Sequence, residues 1–446
     1  MFTGTIDCIV GAQVQTTYEV LVVGGGPAGS TAAGLLAQQG LRVLLLEKAR
    51  HPRFHIGESL LPANLPLLER FGVADKVRAI GMEKWAAEFI SPWDGRRQAF
   101  PFANAWDKSM PFAYQVRRSQ FDEILIRRAA ELGAEVIEGC RAREVQFAPD
   151  GVTVQAEHDD GREESFRADT IIDASGRDTL LGNRLNIKRR SKKHNSAALY
   201  AHFRGVPRPS DQSAGNIGIY WFDHGWFWVI PLLDGATSVG AVVWPSYMKT
   251  RDTSARDFFL RTIALCPPLA ELLKDATLCS EVEATGNYSY NCTRCHGDRH
   301  FLIGDAYTFI DPVFSSGVML AMVNAFAAAE AIHAIKTQPA KARAARRRFE
   351  RNVRHGPKNF SWFIYRVTNP VMRELFLGPR NVLRMEEALL SLLAGDIFGR
   401  TPIWNSLRAF KFVYYLFSVR HLGRTIRAMR QRAFNIRADA RHATSG

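Results

Sequence analysis

Residues 18–48, YEVLVVGGGPAGSTAAGLLAQQGLRVLLLEK, open on a short apolar run, pass through a glycine cluster, continue with small residues on one helical face and close on a second apolar run. That order predicts a strand, a turn, a helix and a buried second strand, a βαβ unit. Further along, IIDASGR at 171–177 and FLIGDA at 301–306 each read as an apolar strand running into a turn, the latter at Gly304 and Asp305. Residues 225–232, GWFWVIPL, predict a strand on which Trp226 and Trp228 alternate and so share one face. After the small-residue turn Ser315, Ser316, Gly317, the stretch VMLAMVNAFAAAEAI predicts an apolar helix. From 350 onward the chain reads as helices, with Trp362, Phe363, Tyr365, Phe376 and the run FKFVYYLF apolar enough to pack over the body.

The 446 residues are 46% hydrophobic and 23% charged, which excludes a disordered tail or a disulfide-stapled miniprotein. No apolar run is expected to reach the roughly 18 residues of a membrane span. The start, MFTGTIDCIVGAQVQTTYEV, lacks the basic flank and long apolar block of a secretion signal, so a cytoplasmic protein is expected. Six scattered cysteines form no disulfide framework and agree with a reducing compartment. The net charge of +14 is uneven: Lys336–Gly446 holds 23 Lys/Arg against 6 Asp/Glu, and the rest of the chain is slightly acidic. Such a surface attracts nucleic acid, anionic lipid, an acidic protein or plain counterions, and charge alone leaves these open.

Within the first unit Gly24, Gly26 and Gly29 fit GxGxxG. The first makes a tight turn, the second lets backbone approach a pyrophosphate, and the third lets the helix pack on the strand. The helix beginning near Pro27 offers free N–H groups and a positive dipole end to that phosphate. Glu47, 18 residues past Gly29, stands where a carboxylate accepts the hydroxyls of an adenosine ribose. The motif alone serves NAD and FAD equally.

Four segments in order favour FAD. FLIGDA resembles the second FAD fingerprint of the aromatic hydroxylase superfamily, in which the aspartate, here Asp305 after Gly304, holds the ribityl chain. YQVRRSQFDEIL at 114–125 resembles its arginine and helix segment, with Arg118 at the matching arginine, and IIDASGR resembles its Asp-Gly-type strand end. Trp226, Trp228, Ile230 and Pro231 fill the WxWxIP pattern of the flavin-dependent halogenases, and the chain resembles that family along nearly its whole length. Supporting segments are HIGESLLP at 55–62, GMEKWAAEF at 81–89, IGDAYTFIDPVFSSGV at 303–318, NPVMRELFLGPRN at 369–381 and SLLAGD at 391–396. The likeness is greatest to the branch acting on phenols and pyrroles.

The resemblance implies an α/β fold. A Rossmann-like FAD domain over 18–350 would carry an interleaved substrate β-sheet layer, about 85–115 and 186–290, followed by a basic helical cap over 351–446. It implies that reduced FAD and dioxygen oxidise chloride or bromide to hypohalous acid, which crosses a short tunnel to a lysine that delivers halogen to an aromatic carbon. The matching lysine is Lys84, with Trp85, Phe89 and Trp93 expected to keep its pocket dry. Trp226 and Trp228 would wall the substrate off from the flavin; without them the enzyme would hydroxylate. Pro312 and Gly317 would lie against the flavin, and the amides of Ser316 and Gly317 would hold the halide at the helix start. Tryptophan halogenases carry a glutamate before the two small hydroxyl residues; here that position is Phe314. The loss of that base points to a ring whose own lone pair stabilises the cation, a phenol or a pyrrole.

Cys292–His296 spells CTRCH, a formal match to c-type haem attachment, which the missing secretion signal argues against; no second cysteine pair stands at zinc spacing. No second glycine fingerprint for a nicotinamide is present, so reduced FAD is expected from a separate reductase. The basic tail would steer an acidic acyl or peptidyl carrier protein bearing the substrate, with an amphipathic membrane-surface role in competition. The rival readings are a flavin monooxygenase or reductase of the same fold, and a flavin-binding protein without turnover whose tail binds nucleic acid or membrane.

Overall fold

The computed structural model describes residues 17–437 apart from 192–193, 287–288 and 400. The reading of the first 16 residues as free of a leader, and the last nine residues of the basic tail, lie outside the described residues.

The apolar runs at 17–23 and 43–47 form the centre of a parallel sheet, where they are buried on both faces along most of their length, and a partly exposed strand lies at its edge. Its strands run in the order Glu135–Glu138, Val43–Glu47, Thr17–Val23, Glu163–Asp173. His300–Leu302 joins in parallel beside residues 171–173, and Gly151–His158 with Cys140–Ala148 extends the sheet antiparallel from the other half of the same long strand. The helix Pro27–Gln38 packs against Arg118–Glu131 and against Gly317–Thr337.

A second sheet of eight strands runs Thr277–Leu278, Ala197–Arg204, Thr237–Val243, Gly225–Pro231, Ile217–Phe222, Ala86–Ile90, Arg97–Pro101, with Glu283–Thr285 also on Ala197–Arg204. Its two faces enter different cores. Trp226, Trp228 and Ile230 face the main core, whereas Phe227 and Val229 join a separate core with Phe258, Phe259 and Ile263 of the helix Ala255–Ala264. The alternation of a single strand therefore feeds both sides.

Two expectations need correction. A helix of spanning length does exist: Gly317–Thr337 has 21 residues and a mean hydropathy of 1.7 in its most apolar window. It is mostly buried between Pro27–Gln38 and Ala342–Ile364, so its apolarity is that of a core helix wrapped by protein. The boundary placed at 350/351 falls inside the helix Ala342–Ile364, which carries the chain through without a break. The C-terminal helices Pro370–Leu377, Met385–Ala394, Trp404–Arg420 and Leu422–Arg437 pack back on the body. Phe376 stacks with Phe314 and lies edge-on to Phe89, whose strand belongs to the second sheet. All five described cysteines are free thiols, and Cys292 and Cys295 of the CTRCH segment are buried, which raises their thiols to about 11 and about 12.

Phe376 is fully buried where the cap meets the body, so Phe376→Ala is expected to destabilise the protein by about 3–5 kcal/mol. Urea denaturation checks this; a loss below about 1 kcal/mol would mean that the cluster does not hold the cap.

Candidate active site

A cavity of about 1060 Å³ runs along the C-terminal ends of the parallel strands, the usual ligand crevice of such sheets. It is lined by Gly24, Gly26, Glu47, Arg118, Asp305, Pro312, Gly317, Trp226 and Trp228, bringing most of the expected residues together. The three motif glycines differ in their reasons. Gly24 has φ +105°, and a Cβ there would meet the Ala174 carbonyl oxygen at 2.3 Å; at Gly29 a Cβ would stand 1.8 Å from the Gly24 carbonyl oxygen. At Gly26, by contrast, the nearest atom to a Cβ would be an Arg53 nitrogen at 3.7 Å, leaving the backbone open to the cavity. Gly26 begins the helix Pro27–Gln38 with no side-chain cap, so its first N–H groups await an anion.

Glu47 is buried at its strand end and accepts hydrogen bonds from the Gly25 amide at 2.6 Å and the Ala49 amide at 2.9 Å. Arg118, at the start of its helix, donates two bonds to Asp122, at 2.8 and 2.9 Å, and one to the Ile56 carbonyl. These contacts hold the guanidinium rigidly at the cavity wall. Asp305 lies in the turn after His300–Leu302, where Gly304 adopts φ +57°; burial raises its carboxyl to about 6 against the pull of Arg118 and Arg177. This donor set suits FAD: an open glycine backbone at a helix start could take the pyrophosphate, and the carboxylates of Glu47 and Asp305, at separate points of the cavity wall, could accept from its hydroxyls.

The loop 311–317 forms the far end. Asp311 caps its short turn by accepting from the Val313 amide, Ser315 takes φ +55°, and the helix starts at Gly317, where a Cβ would meet nothing within 4 Å. Ser316 is the N-cap but its side chain makes no cap hydrogen bond, leaving the first backbone amides for a ligand. Ser316 is buried and Gly317 is open to the cavity. Phe314 points away into the aromatic cluster around Phe376. A carboxylate there would lie unpaired in an apolar site.

Trp226 and Trp228 stand side by side on the cavity wall, ring centroids 6.1 Å apart. The Trp228 indole N–H donates to Ser238 at 3.2 Å, and its ring lies so close over Gly240 that a Cβ there would be 2.1 Å from it.

Lys84 ends a two-stranded ribbon, Met82–Lys84 with Ala113–Gln115, and is only 1% exposed. Its amine donates to Ser59 Oγ at 2.9 Å and to the Leu60 carbonyl, with the Phe102 ring 5.3 Å away. Burial pushes it down from 10.5 to about 7. Lys84 does not itself line the cavity; Ser59, its hydrogen-bond partner, does. The expected aromatic surround is only partly placed. Phe89 belongs to the Phe376 cluster, Trp85 packs on Phe112, and Trp93 is about half exposed under Arg373.

Several cavity residues escaped the sequence reading. Arg53 sits by Gly26 and forms ion pairs with Glu47 and Asp122. Glu58, buried on the cavity wall, accepts from His202 Nε2 at 3.0 Å. The HIGESLLP segment marked the place of Glu58 and Ser59, but nothing local pointed to partners 25 and 144 residues away.

The family model described as an FAD binding domain matches residues 17–347. The 1H-pyrrole-2-carbonyl-(peptidyl-carrier protein) chlorinase of Pseudomonas fluorescens is 32% identical over 420 residues, covering 88% of this chain and 92% of the relative. Of solved structures, a myxobacterial chondrochloren halogenase matches with a TM-score of 0.74 and 33% identity over 87% of this chain and 92% of its own. A flavoprotein/dehydrogenase from Cytophaga hutchinsonii gives a TM-score of 0.79 at 27% identity, over 86% of this chain and 94% of its own. With the glycine turn, the tryptophan wall and the buried lysine all built on this fold, the chain belongs to the flavin-dependent halogenases, FAD-binding oxidoreductases.

Proposed function

We propose that the protein halogenates an electron-rich aromatic ring, a phenol or a pyrrole, with Lys84 delivering the halogen. The observation that carries this is a dry amine, lowered to about 7, set one side chain behind a cavity walled by paired tryptophans. Bound in its reduced form, FAD supplies with dioxygen the two-electron oxidation of chloride or bromide to hypohalous acid. The amides of Ser316 and Gly317 hold the halide, and Trp226 and Trp228 keep the aromatic substrate away from the oxidising flavin face. An amine held near neutrality has a nucleophilic lone pair for halogen at ordinary pH. With Phe314 in an apolar cluster, ring activation falls to the substrate's own oxygen or nitrogen.

The substrate reading extends to a ring borne on an acidic acyl or peptidyl carrier protein. Residues 404–437 contain eight Lys/Arg and no Asp/Glu. On the last helix Leu422, Ile426 and Met429 form an exposed apolar stripe at helical spacing, flanked by Arg424, Arg427 and Arg430. An acidic surface with a few apolar contacts complements that pattern. A separate, cytoplasmic flavin reductase completes the reading, since the chain carries no nicotinamide fingerprint.

Reduced FAD supplied by a helper reductase is expected to yield halide-dependent oxidant and halogenated product; hydroxylated product without halide would favour the monooxygenase reading instead. Lys84→Ala should consume reduced FAD at the parent rate and lose product by about a hundredfold or more, and retained halogenation would remove the lysine from the mechanism. Reversing the charge at Arg424, Arg427 and Arg430 should raise the apparent KM for a carrier-bound substrate at low salt and leave that for the free ring alone; equal effects on both would rule out docking.

Burial of the amine also sets a pH dependence. Between about 7 and 10.5 the unfolded chain binds a proton that the folded protein does not, so stability rises with pH across that window; below it both states are charged and the full burial penalty is present. Lys84→Met is therefore expected to raise the melting temperature more at about pH 6 than at about pH 9. Equal gains at the two pH values would mean that the amine is not desolvated.

A further inference from the structure

Lys84 and the flavin cavity are separate spaces joined through one side chain. Among the described residues the polar partners of the amine are Ser59 Oγ and the Leu60 carbonyl, and of these only Ser59 lines the cavity. The Ser59 hydroxyl accepts from the lysine and donates to no described group, so its own proton is free to point at the cavity. The neighbouring carboxylate, Glu58, is engaged by His202, whose Nε2 lies 3.0 and 3.1 Å from its two oxygens. With Glu58 occupied in this way, the Ser59 hydroxyl is the polar side chain that touches both the amine and the cavity among the described residues.

We propose that the Ser59 hydroxyl is the proton relay through which Lys84 is halogenated, an assignment that rests on the reading above. The neutral amine attacks the halogen of hypohalous acid; the N–halogen bond forms as the O–halogen bond breaks. The departing hydroxide takes the Ser59 hydroxyl proton and leaves as water. The serine oxygen recovers its proton from the halogenated nitrogen along the hydrogen bond already in place. Amine and hypohalous acid become haloamine and water, with no outside acid or base. The relay also favours capture over escape: an oxidant hydrogen-bonded by Ser59 is held beside the amine that Ser59 itself contacts.

The test compares the parent with Ser59→Ala and Ser59→Thr by two readouts. The first, made without flavin, follows the Lys84 ε-nitrogen by NMR, assigned with Lys84→Arg, through a pH titration. Ser59→Ala removes an acceptor of the ammonium, so Lys84 should titrate at lower pH, and Ser59→Thr should restore it. The second feeds reduced FAD, dioxygen and halide, and measures product together with hypohalous acid trapped by an external scavenger. Ser59→Ala is expected to lower product about a hundredfold while trapped oxidant rises, and Ser59→Thr should return both toward the parent. An unchanged Lys84 titration, undiminished product, or product and oxidant falling in step would each overturn the relay. If the parent itself makes no halide-dependent oxidant, the halogenase chemistry fails first, and the titration still decides whether Ser59 governs the amine.

Discussion

Desolvation of a single amine is the constraint on which the proposed site depends. Lys84 has no ion-pair partner among the described residues and is held by a hydroxyl, a carbonyl and an aromatic ring. Its displacement from 10.5 to about 7 corresponds to roughly 5 kcal/mol between charged and neutral forms. A nearby carboxylate would remove most of that displacement by stabilising the ammonium, and with it the lone pair that the proposed chemistry needs. On the proposed role of Lys84, the fold accepts a destabilising residue at a place where solvation would abolish the reactivity assigned to it.

The tryptophan wall shows how a simple periodicity becomes a partition. Because Gly225–Pro231 is central in its sheet, both its faces are buried, and the alternation of Trp226, Trp228 and Ile230 with Phe227 and Val229 assigns each set to its own core. Gly240 on the next strand is opposite Trp228 and gives the indole a bare backbone to lie on. Any side chain at 240 would push the ring out into the cavity, so the wall's shape is set by a glycine as much as by the tryptophans themselves.

What could be read in the sequence was what is local. The glycine turn, its helix and Glu47 fall within 31 residues, and each glycine has the steric reason its place in the motif implies. The strand faces of Trp226 and Trp228 followed from period two alone. Contacts made by tertiary folding were not legible: Arg53 to Asp122, Glu58 to His202, and Lys84 to Ser59 join segments with no shared pattern. Trp93 failed as a pocket residue because nine positions along a strand and turn carry the chain from a buried ribbon to the surface. The helix Gly317–Thr337 exceeded the expected apolar length because Asn324, Glu330 and His333 interrupt the run for the eye but barely lower its mean hydropathy.

The C-terminal region is part of the site's scaffold. Arg432 on the last helix donates to His194 Nδ1 at 3.3 Å, which fixes the tautomer so that Nε2 donates to Asp311 at 2.8 Å. Asp311 in turn takes a bond from Ser196 and caps the turn that leads to Ser315 and Gly317 on the cavity wall, with Ser316 buried between them. Phe376 supports the same loop from the other side through Phe314. Two independent contacts, one polar and one aromatic, thus run from the cap to the seven residues at the flavin end of the cavity. A partner seated on the exposed face of Leu422–Arg437 would bear on a helix whose inner face already braces that loop. On the proposed reading, a docking surface on that helix and a halide site at residues 316–317 would belong to one mechanical unit.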